Sequence, residues 1–138
     1  MTATDTIKPV RAGLFTGDLH DLSRIALAGS RCQDCQETTL GTNSLCPNCG
    51  GDDIAPVRLS DTGSVWSFTV VRYPPPGDYK GEQPFRPYAL GLIELPEGLR
   101  VVAPISGDPD NVAIGMAVAF TPRLRPDQVV EFAYKPIG

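Results

Sequence analysis

The four cysteines of the chain fall into two closely spaced pairs, and this pattern constrains the fold more than any other feature. The first pair is Cys32-Gln-Asp-Cys35 and the second is Cys46-Pro-Asn-Cys49, which is followed by Gly50. A Cys-x-x-Cys turn places two sulfur atoms on one side of a tight loop, and two such turns supply the four thiolates of a tetrahedral zinc site. The spacing therefore predicts a structural Zn²⁺ bound by Cys32, Cys35, Cys46 and Cys49.

Disulfides, a redox motif and bound iron are the alternatives to zinc at the four cysteines. Disulfides are rare in cytoplasmic proteins, and a redox Cys-x-x-Cys motif does not require a matching second pair. Iron is the main rival to zinc, because a site of four sulfurs suits either metal. Four thiolates leave no coordination position for water, so the metal is predicted to be structural rather than catalytic.

Glycine and proline indicate that the rest of the chain is built from strands and turns. The 138 residues include 14 Gly and 14 Pro, and both residue types interrupt helices. With 41% hydrophobic residues the chain can still bury a core. We therefore expect a mainly β protein with three parts: an N-terminal segment with a short helix over residues 1–30, a zinc ribbon over 31–58 and a five-stranded OB-fold barrel over 59–138.

Apolar side chains and turn residues predict the individual strands. The clearest strand covers residues 64–72, where simple alternation places Trp66, Phe68 and Val70 on one face and Val65 on the other. A short amphipathic helix is expected from Asp18 to Arg24, because Asp18 is a good N-cap. The other expected strands cover residues 25–30, 54–59, 88–95, 99–106, 116–123 and 129–135.

Charge and missing motifs exclude several classes of function. A net charge of −4 disfavours nucleic acid as a partner, because proteins that bind it usually carry a basic excess. No apolar run reaches the ~20 residues of a membrane span, and the first residues do not resemble a signal peptide, so a cytoplasmic location is expected. The sequence has no Gly-x-Ser-x-Gly or phosphate-binding glycine motif, and His20 is its only histidine. The chain is therefore not expected to be catalytic alone.

One long connection is expected between two of the predicted strands, at residues 73–87. Loops of this length are uncommon without a function, and three consecutive prolines stiffen this one, which lowers the entropy that it would lose on docking. Its aromatic and basic side chains suit contact with an aromatic ring or a phosphate. The alternative is a surface excursion that covers one end of the barrel.

Several short motifs occur in an order that resembles a known family. After the two cysteine pairs come Gly-x-Val-x-Ser-x-Thr-Val-Val at 63–71, Pro-Pro-Pro-Gly at 74–77, Glu-Leu-Pro-Glu-Gly at 94–98 and Ile-Gly-Met-x-Val at 114–118. In this order they are similar to the rubredoxin-like zinc-ribbon/OB-fold acyl-CoA-associated family, over about residues 12–136. The first cysteine pair is followed by Gln36 where the family often has Gly, a departure that removes no metal ligand.

The resemblance implies a non-catalytic accessory subunit bound to a larger CoA-thioester enzyme. Partners in this family include thiolases, thiolase-like aldolases, synthases and MaoC-like hydratases, and the catalytic residues belong to those partners. The chain looks most like subunits of degradative thiolases, which implies a hetero-oligomer that cleaves β-ketoacyl-CoA derived from aromatic or steroid-like compounds. A complex with a thiolase-like aldolase or a MaoC-like hydratase is the alternative.

An acyl-CoA ligand shared with that partner would need contacts to its phosphates and adenine. The basic candidates for pairing with the phosphates are Arg72, Lys80 and Arg86. The aromatic candidates for stacking on the adenine are Tyr73, Tyr79 and Phe85. Two hypotheses of different classes remain. One is an OB-fold protein that binds single-stranded nucleic acid, and the other is an electron-transfer protein with iron at the four cysteines.

Overall fold

The computed structural model describes residues 7–74, 76–77 and 84–137, and its regular structure is almost entirely β. The strands are β1 (Lys8–Pro9), β2 (Phe15–Thr16), β3 (Ala26–Cys32), β4 (Thr38–Leu40), β5 (Ile54–Arg58), β6 (Thr62–Val71), β7 (Tyr88–Glu94), β8 (Arg100–Ile105), β9 (Ala117–Leu124) and β10 (Val129–Pro136). Two 3₁₀ helices cover Leu22–Arg24 and Pro109–Asn111. Within the described residues, no helix is long and apolar enough to cross a membrane. The predicted mainly β class is confirmed.

Five of the strands close into the predicted barrel. β6, β7 and β8 are antiparallel neighbours, β8 is joined to β10 in parallel, and β10 pairs with β9. The barrel closes through a short ladder between β9 and β6, which joins Ala117–Ala119 to Thr62–Ser64. This order of strands is the Greek-key arrangement of an OB-fold. β1 adds to the outside of the barrel by pairing with the start of β10.

A smaller sheet formed by β2, β3, β4 and β5 carries the cysteine pairs. β3 is its central strand and is antiparallel to the other three. Most of β3 is buried, and the hydroxyl of its Ser30 donates a hydrogen bond to the Gly41 carbonyl at 2.7 Å. Because Cys32 is the last residue of this strand, the sheet fixes the position of the first cysteine.

The small sheet and the barrel share one hydrophobic core. Leu14 and Leu27 belong to the same cluster of buried side chains as residues from the barrel strands. The Phe15 ring also packs against two rings of the barrel, with centroids 6.3 Å from Phe120 and 6.0 Å from Phe132. These contacts fix the small sheet on the barrel. The barrel residues of the cluster include Val65, Ile93, Val101, Ile105, Val118 and Tyr134.

The facing predicted for β6 is wrong at its centre, because the strand contains a β-bulge. The register to β7 shifts between Val65 and Ser67, so Trp66 is an extra residue without its own partner in the ladder. Val65 and Phe68 both pack in the core, whereas Trp66 is 47% exposed. Trp66 and Phe68 therefore do not share a face. The guanidinium of Arg100 lies over the outward Trp66 ring, 3.9 Å from its centroid.

The short helix predicted from Asp18 to Arg24 is reduced to the single 3₁₀ turn Leu22–Arg24. The Asp18 carboxylate accepts a hydrogen bond from the His20 N–H at 3.0 Å. Three residues later, the Asp21 side chain caps the next turn in the same way. Such side-chain bonds compete with the hydrogen bonds of an α-helix, so two aspartates at this spacing produce two separate turns.

Candidate metal centre

The Sγ atoms of the four cysteines form one compact cluster. All four lie within 4.8 Å of one another, and the distances Cys32–Cys49 and Cys35–Cys46 are both 3.6 Å. Sulfur atoms at about 2.3 Å from a tetrahedral zinc ion would be about 3.8 Å apart. The donor atoms and the size of the cluster therefore fit a metal ion such as zinc.

The two cysteine pairs lie in turns of the same backbone geometry. The residue after each pair donates its N–H to the carbonyl of the first cysteine: Gln36 to Cys32 at 2.9 Å and Gly50 to Cys46 at 2.8 Å. Both residues have left-handed backbone, with φ of 67° and 78°. This conformation favours glycine, so Gln36 is the less favourable of the two. Its side chain compensates by accepting a hydrogen bond from the Arg31 guanidinium at 2.7 Å.

Hydrogen-bond donors of the second turn point at the sulfur atoms. The backbone N–H groups of Asn48 and Cys49 lie 3.3 and 3.5 Å from Cys46 Sγ. The side-chain amide of Asn48 donates to Cys35 Sγ, which lowers the pKa of the Cys35 thiol to about 6. At Cys49 the Gly51 N–H favours the thiolate, but the neighbouring thiols oppose it and raise the pKa to about 12. Four sulfurs this close ionise together only around a cation.

The segment that carries the cysteines has little hydrophobic support. Cys32 and Cys46 are almost completely buried, at 1% and 4% exposure. From residue 33 to residue 50, the only other buried residues are Thr38 and Gly41. Leu40 is the one apolar side chain of this segment that packs against the main core, so a bound metal would supply much of the free energy that keeps the segment folded.

Four of the six residues predicted to contact CoA lie where β6 ends and β7 begins. Arg72 follows β6 and is exposed, and the adjacent Tyr73 has 81% exposure. Phe85 and Arg86 precede β7, with the Phe85 ring centroid 6.2 Å from that of Tyr88. The structure therefore places four of the six at the two ends of one connection. The other two lie outside the described residues: Tyr79 and Lys80.

Sequence reasoning missed three residues of functional interest. Asn48 stands between two cysteines, and its amide reaches a sulfur of the other pair. Arg123 and Arg125 line the same surface groove as Arg72 and Arg86. The sequence does show two alternating arginines, Arg123 and Arg125, just before the turn between the last two strands. No local sequence pattern, however, indicates that they lie near residues 72 and 86.

Comparison with known proteins confirms the family predicted from the order of motifs. Residues 56–121 match the family model described as ChsH2, C-terminal OB-fold domain. A DUF35 domain-containing scaffold protein of Methanocaldococcus jannaschii is 32% identical over 122 residues, which cover 84% of each chain. The benzoylsuccinyl-CoA thiolase subunit BbsA of Geobacter metallireducens is 32% identical over 113 residues, or 79% of this chain and 72% of that subunit.

Two further similarities differ in extent. A protein of Thermomonospora curvata named "Probable enoyl-CoA hydratase alpha subunit" is 36% identical over 89 residues, and the match spans 64% of this chain but only 26% of that longer protein. The solved structure of the Ltp2-ChsH2(DUF35) aldolase matches with a TM-score of 0.66 and 31% identity, covering 80% of this chain and 84% of that one. Together with the barrel and the four-cysteine cluster, these matches show that the chain belongs to the DUF35 family of zinc-ribbon and OB-fold proteins.

Proposed function

We propose that the chain is a non-catalytic, zinc-binding accessory subunit of a thiolase-type enzyme that cleaves β-ketoacyl-CoA. The observation that carries this proposal is the similarity to the benzoylsuccinyl-CoA thiolase subunit BbsA over most of both chains. In the proposed complex, the catalytic residues belong to a thiolase-fold partner. The DUF35 chain assembles with that partner and assists the binding of acyl-CoA.

The positions of the reactive side chains support a non-catalytic role. All four cysteines belong to the sulfur cluster, where a metal would occupy their thiolates. The only histidine, His20, is exposed and its ring lies 3.2 Å from the Asp18 carboxylate. Nucleophilic catalysis needs a nucleophile within hydrogen-bond reach of a base. Neither the cysteines nor His20 offers that arrangement.

Zinc has a structural role in this proposal. Cys32, Cys35, Cys46 and Cys49 would hold it, and the metal would fix the two turns against each other. Thiolates bind zinc with high affinity, and the free energy of binding becomes free energy of folding where a segment has no core of its own. A rigid ribbon loses little entropy on docking, so it is suited to hold a fixed place on a partner.

The second candidate is an accessory subunit of a thiolase-like aldolase. The similarity to the Ltp2-ChsH2(DUF35) aldolase structure favours it, because that match extends over 80% of this chain. A hydratase complex is a third choice, supported by the match to the T. curvata protein. The ribbon and the barrel of this chain fit all three candidate complexes equally well. The class of partner therefore has to be identified by the reaction that the complex catalyses.

Co-expression with a neighbouring thiolase-like, aldolase-like or hydratase-like gene product tests the proposal. We expect a tagged form of the chain to co-purify with a thiolase-fold protein. Thiolysis of β-ketoacyl-CoA is expected to require both subunits, whereas the chain alone should be inactive. Retro-aldol cleavage instead of thiolysis would favour the second candidate. A large subunit that works at full rate with unchanged affinity for CoA when alone would contradict an accessory role.

A further inference from the structure

The two cysteine turns share one backbone geometry but differ in the side chains beside their sulfur atoms. In Cys32-Gln-Asp-Cys35 and Cys46-Pro-Asn-Cys49, the residue just before the second cysteine is Asp34 in the first turn and Asn48 in the second. Asparagine and aspartate have nearly the same shape, but the amide carries N–H donors, whereas the carboxylate has only acceptors and a negative charge. Equivalent positions of the two turns therefore carry a hydrogen-bond donor in one case and a negative charge in the other.

Asn48 joins the two turns through hydrogen bonds to two sulfur atoms. Its backbone N–H lies 3.3 Å from Cys46 Sγ, within its own turn. Its side-chain amide reaches across the cluster and donates to Cys35 Sγ at 3.5 Å. One residue thus contacts a sulfur atom of each pair, and the sulfur of Cys35 is held by a group that belongs to the opposite turn.

Asp34 extends towards the opposite turn in the corresponding way. A Cβ atom added at Gly51 would collide with a carboxylate oxygen of Asp34 and would lie 3.4 Å from Cys49 Sγ. The carboxylate of Asp34 and the sulfur of Cys49 therefore both lie beside Gly51. An ionised carboxylate has no proton to donate to a thiolate. Where Asn48 brings a donor to Cys35, Asp34 brings a negative charge to the surroundings of Cys49.

The charge of the metal centre determines which of these two side chains is favourable. Four thiolates and one divalent ion would give the centre a net negative charge. Hydrogen-bond donors stabilise such a charge, and a nearby carboxylate opposes it. Groups that hydrogen-bond to metal ligands typically change the metal affinity by about 10- to 100-fold. Asn48 and Asp34 are therefore expected to change metal affinity in opposite directions.

We propose that Asn48 is a positioning residue that holds Cys35 on the metal, whereas Asp34 weakens metal binding on the side of Cys49. The balance between these two side chains sets how firmly the ribbon retains its metal. The inference rests on the metal binding of the proposed function, but it does not depend on the enzyme with which the chain assembles.

Reciprocal substitutions in the full chain test the proposal, with the Zn²⁺ dissociation constant measured by competition with a chromophoric chelator. Asn48→Ala is expected to weaken Zn²⁺ binding about tenfold, because the Cys35 sulfur loses a donor. Asn48→Asp should weaken it further, since it also adds a negative charge. Asp34→Asn is expected to strengthen binding by about threefold only, because Asp34 is exposed and its charge is partly screened. A general loss of stability would not produce opposite shifts from reciprocal exchanges.

Substitution of Co²⁺ for Zn²⁺ reports on the electrons of the sulfur atoms directly. Cobalt bound to thiolates absorbs light by charge transfer from sulfur to the metal, and a hydrogen bond to sulfur stabilises the electrons that are transferred. Loss of the donor in Asn48→Ala should therefore shift these absorption bands to longer wavelength. Loss of the negative charge in Asp34→Asn should shift them to shorter wavelength. A purely structural role of either residue would leave the band positions unchanged.

Two control variants separate these effects from changes in the turn or in net charge. Gln33→Ala alters an exposed side chain of the first turn whose amide donates to the Arg31 carbonyl. Asp110→Asn removes one exposed carboxylate of the barrel. Both should bind Zn²⁺ as tightly as the unchanged chain. High salt should remove most of the gain from Asp34→Asn but leave the loss from Asn48→Ala, because salt screens exposed charges rather than hydrogen bonds.

The possible outcomes distinguish this inference from the metal binding on which it rests. Equal Zn²⁺ affinity and unchanged Co²⁺ bands in all variants would overturn the roles of Asn48 and Asp34, while metal binding itself would stand. Stronger binding by Asn48→Asp, or weaker binding by Asp34→Asn, would contradict the assigned directions. A chain that takes up neither metal would overturn both the metal centre and the inference.

Discussion

The pKa values of the Cys35 and Cys49 thiols depend on their neighbours in the cluster. The Asn48 amide favours the thiolate of Cys35, whereas the neighbouring thiols disfavour that of Cys49. A cation between the sulfurs removes this conflict, because it stabilises all four negative charges together. Loss of one sulfur is therefore expected to weaken metal binding by the whole cluster, and not only at the position that is changed.

Replacing Cys46 by Ser tests this dependence. We expect Cys46→Ser to release the metal and to unfold residues 31–50, since that segment buries too few side chains to remain folded alone. Metal content by mass spectrometry and amide hydrogen exchange of residues 31–50 are the measurements. Ser44→Ala, at an exposed position in the same segment, should keep both the metal and the protection. A Cys46→Ser variant with a protected ribbon would show that the metal does not organise it.

Gln128 is a second residue whose backbone favours glycine. It has φ of 67° in the turn between β9 and β10, where its N–H donates to the Arg125 carbonyl at 3.0 Å. A left-handed conformation costs a non-glycine residue about 1 kcal/mol. Gln128→Gly removes this strain but makes the unfolded chain more flexible. The net expectation is a gain in the free energy of unfolding of roughly 0.5 kcal/mol.

Chemical denaturation measures the effect of this substitution. Gln128→Ala is its control, because alanine removes the side chain but keeps the strained backbone. We expect no gain in stability from the alanine variant. Equal stabilisation by glycine and alanine would mean that the side chain, and not the backbone conformation, is unfavourable at this position.

Closure of the barrel depends on one short pair of strand segments. The ladder between β6 and β9 joins Thr62–Ser64 to Ala117–Ala119, and backbone hydrogen bonds at Val65 and Asp61 extend it on either side. A Cβ atom added at Gly63 would lie 2.6 Å from the Glu94 carbonyl oxygen of the next strand, and a backbone atom moves less easily than a flexible side chain. Gly63→Ala is therefore expected to destabilise the protein by about 2 kcal/mol. Thermal unfolding checks this value, with Ser64→Ala as the control; similar melting temperatures for both variants would argue against close packing of Gly63 on β7.

Local patterns in the sequence predict which segments form strands but not every detail within them. Glycine and proline turns separate the strands, so each strand after the cysteines is found close to its predicted range. The bulge at Trp66 is different, because an extra residue leaves no local mark in an alternating pattern. Bulges let strands bend as a barrel closes, and that requirement comes from the tertiary structure.

The four-cysteine cluster and the groove also differ in how far local sequence patterns predict them. The cluster of four cysteines is predictable, because two Cys-x-x-Cys turns close in sequence have the spacing typical of a single zinc site. The arginines of the groove come from the end of β6, the start of β7 and the β9–β10 hairpin. The order of strands in the barrel brings these ends together, so no local pattern contains that information.

At the scale of the whole molecule, the metal and the barrel should be separable. The ribbon turns rely on the sulfur cluster, whereas the barrel has its own buried residues from five strands. Removing the metal with a chelator is expected to abolish amide protection at residues 31–50 and to leave β6 to β10 protected. Hydrogen exchange before and after chelation measures this, and restored protection on adding zinc is the control. Loss of protection throughout the barrel would mean that the shared core of Leu14 and Leu27 couples both parts.

The pairing of β1 with β10 also sets an order of events during synthesis of the chain. All ladders of the small sheet lie between residues 15 and 58, so they can form as soon as that stretch has left the ribosome. The barrel has to wait, because β10 lies between β8 and β9 and also pairs with β1. Contacts between such distant segments form slowly, since the chain must first close a long loop. Capture of a metal by the four cysteines would therefore be an early event in the folding of this chain, and barrel closure a late one.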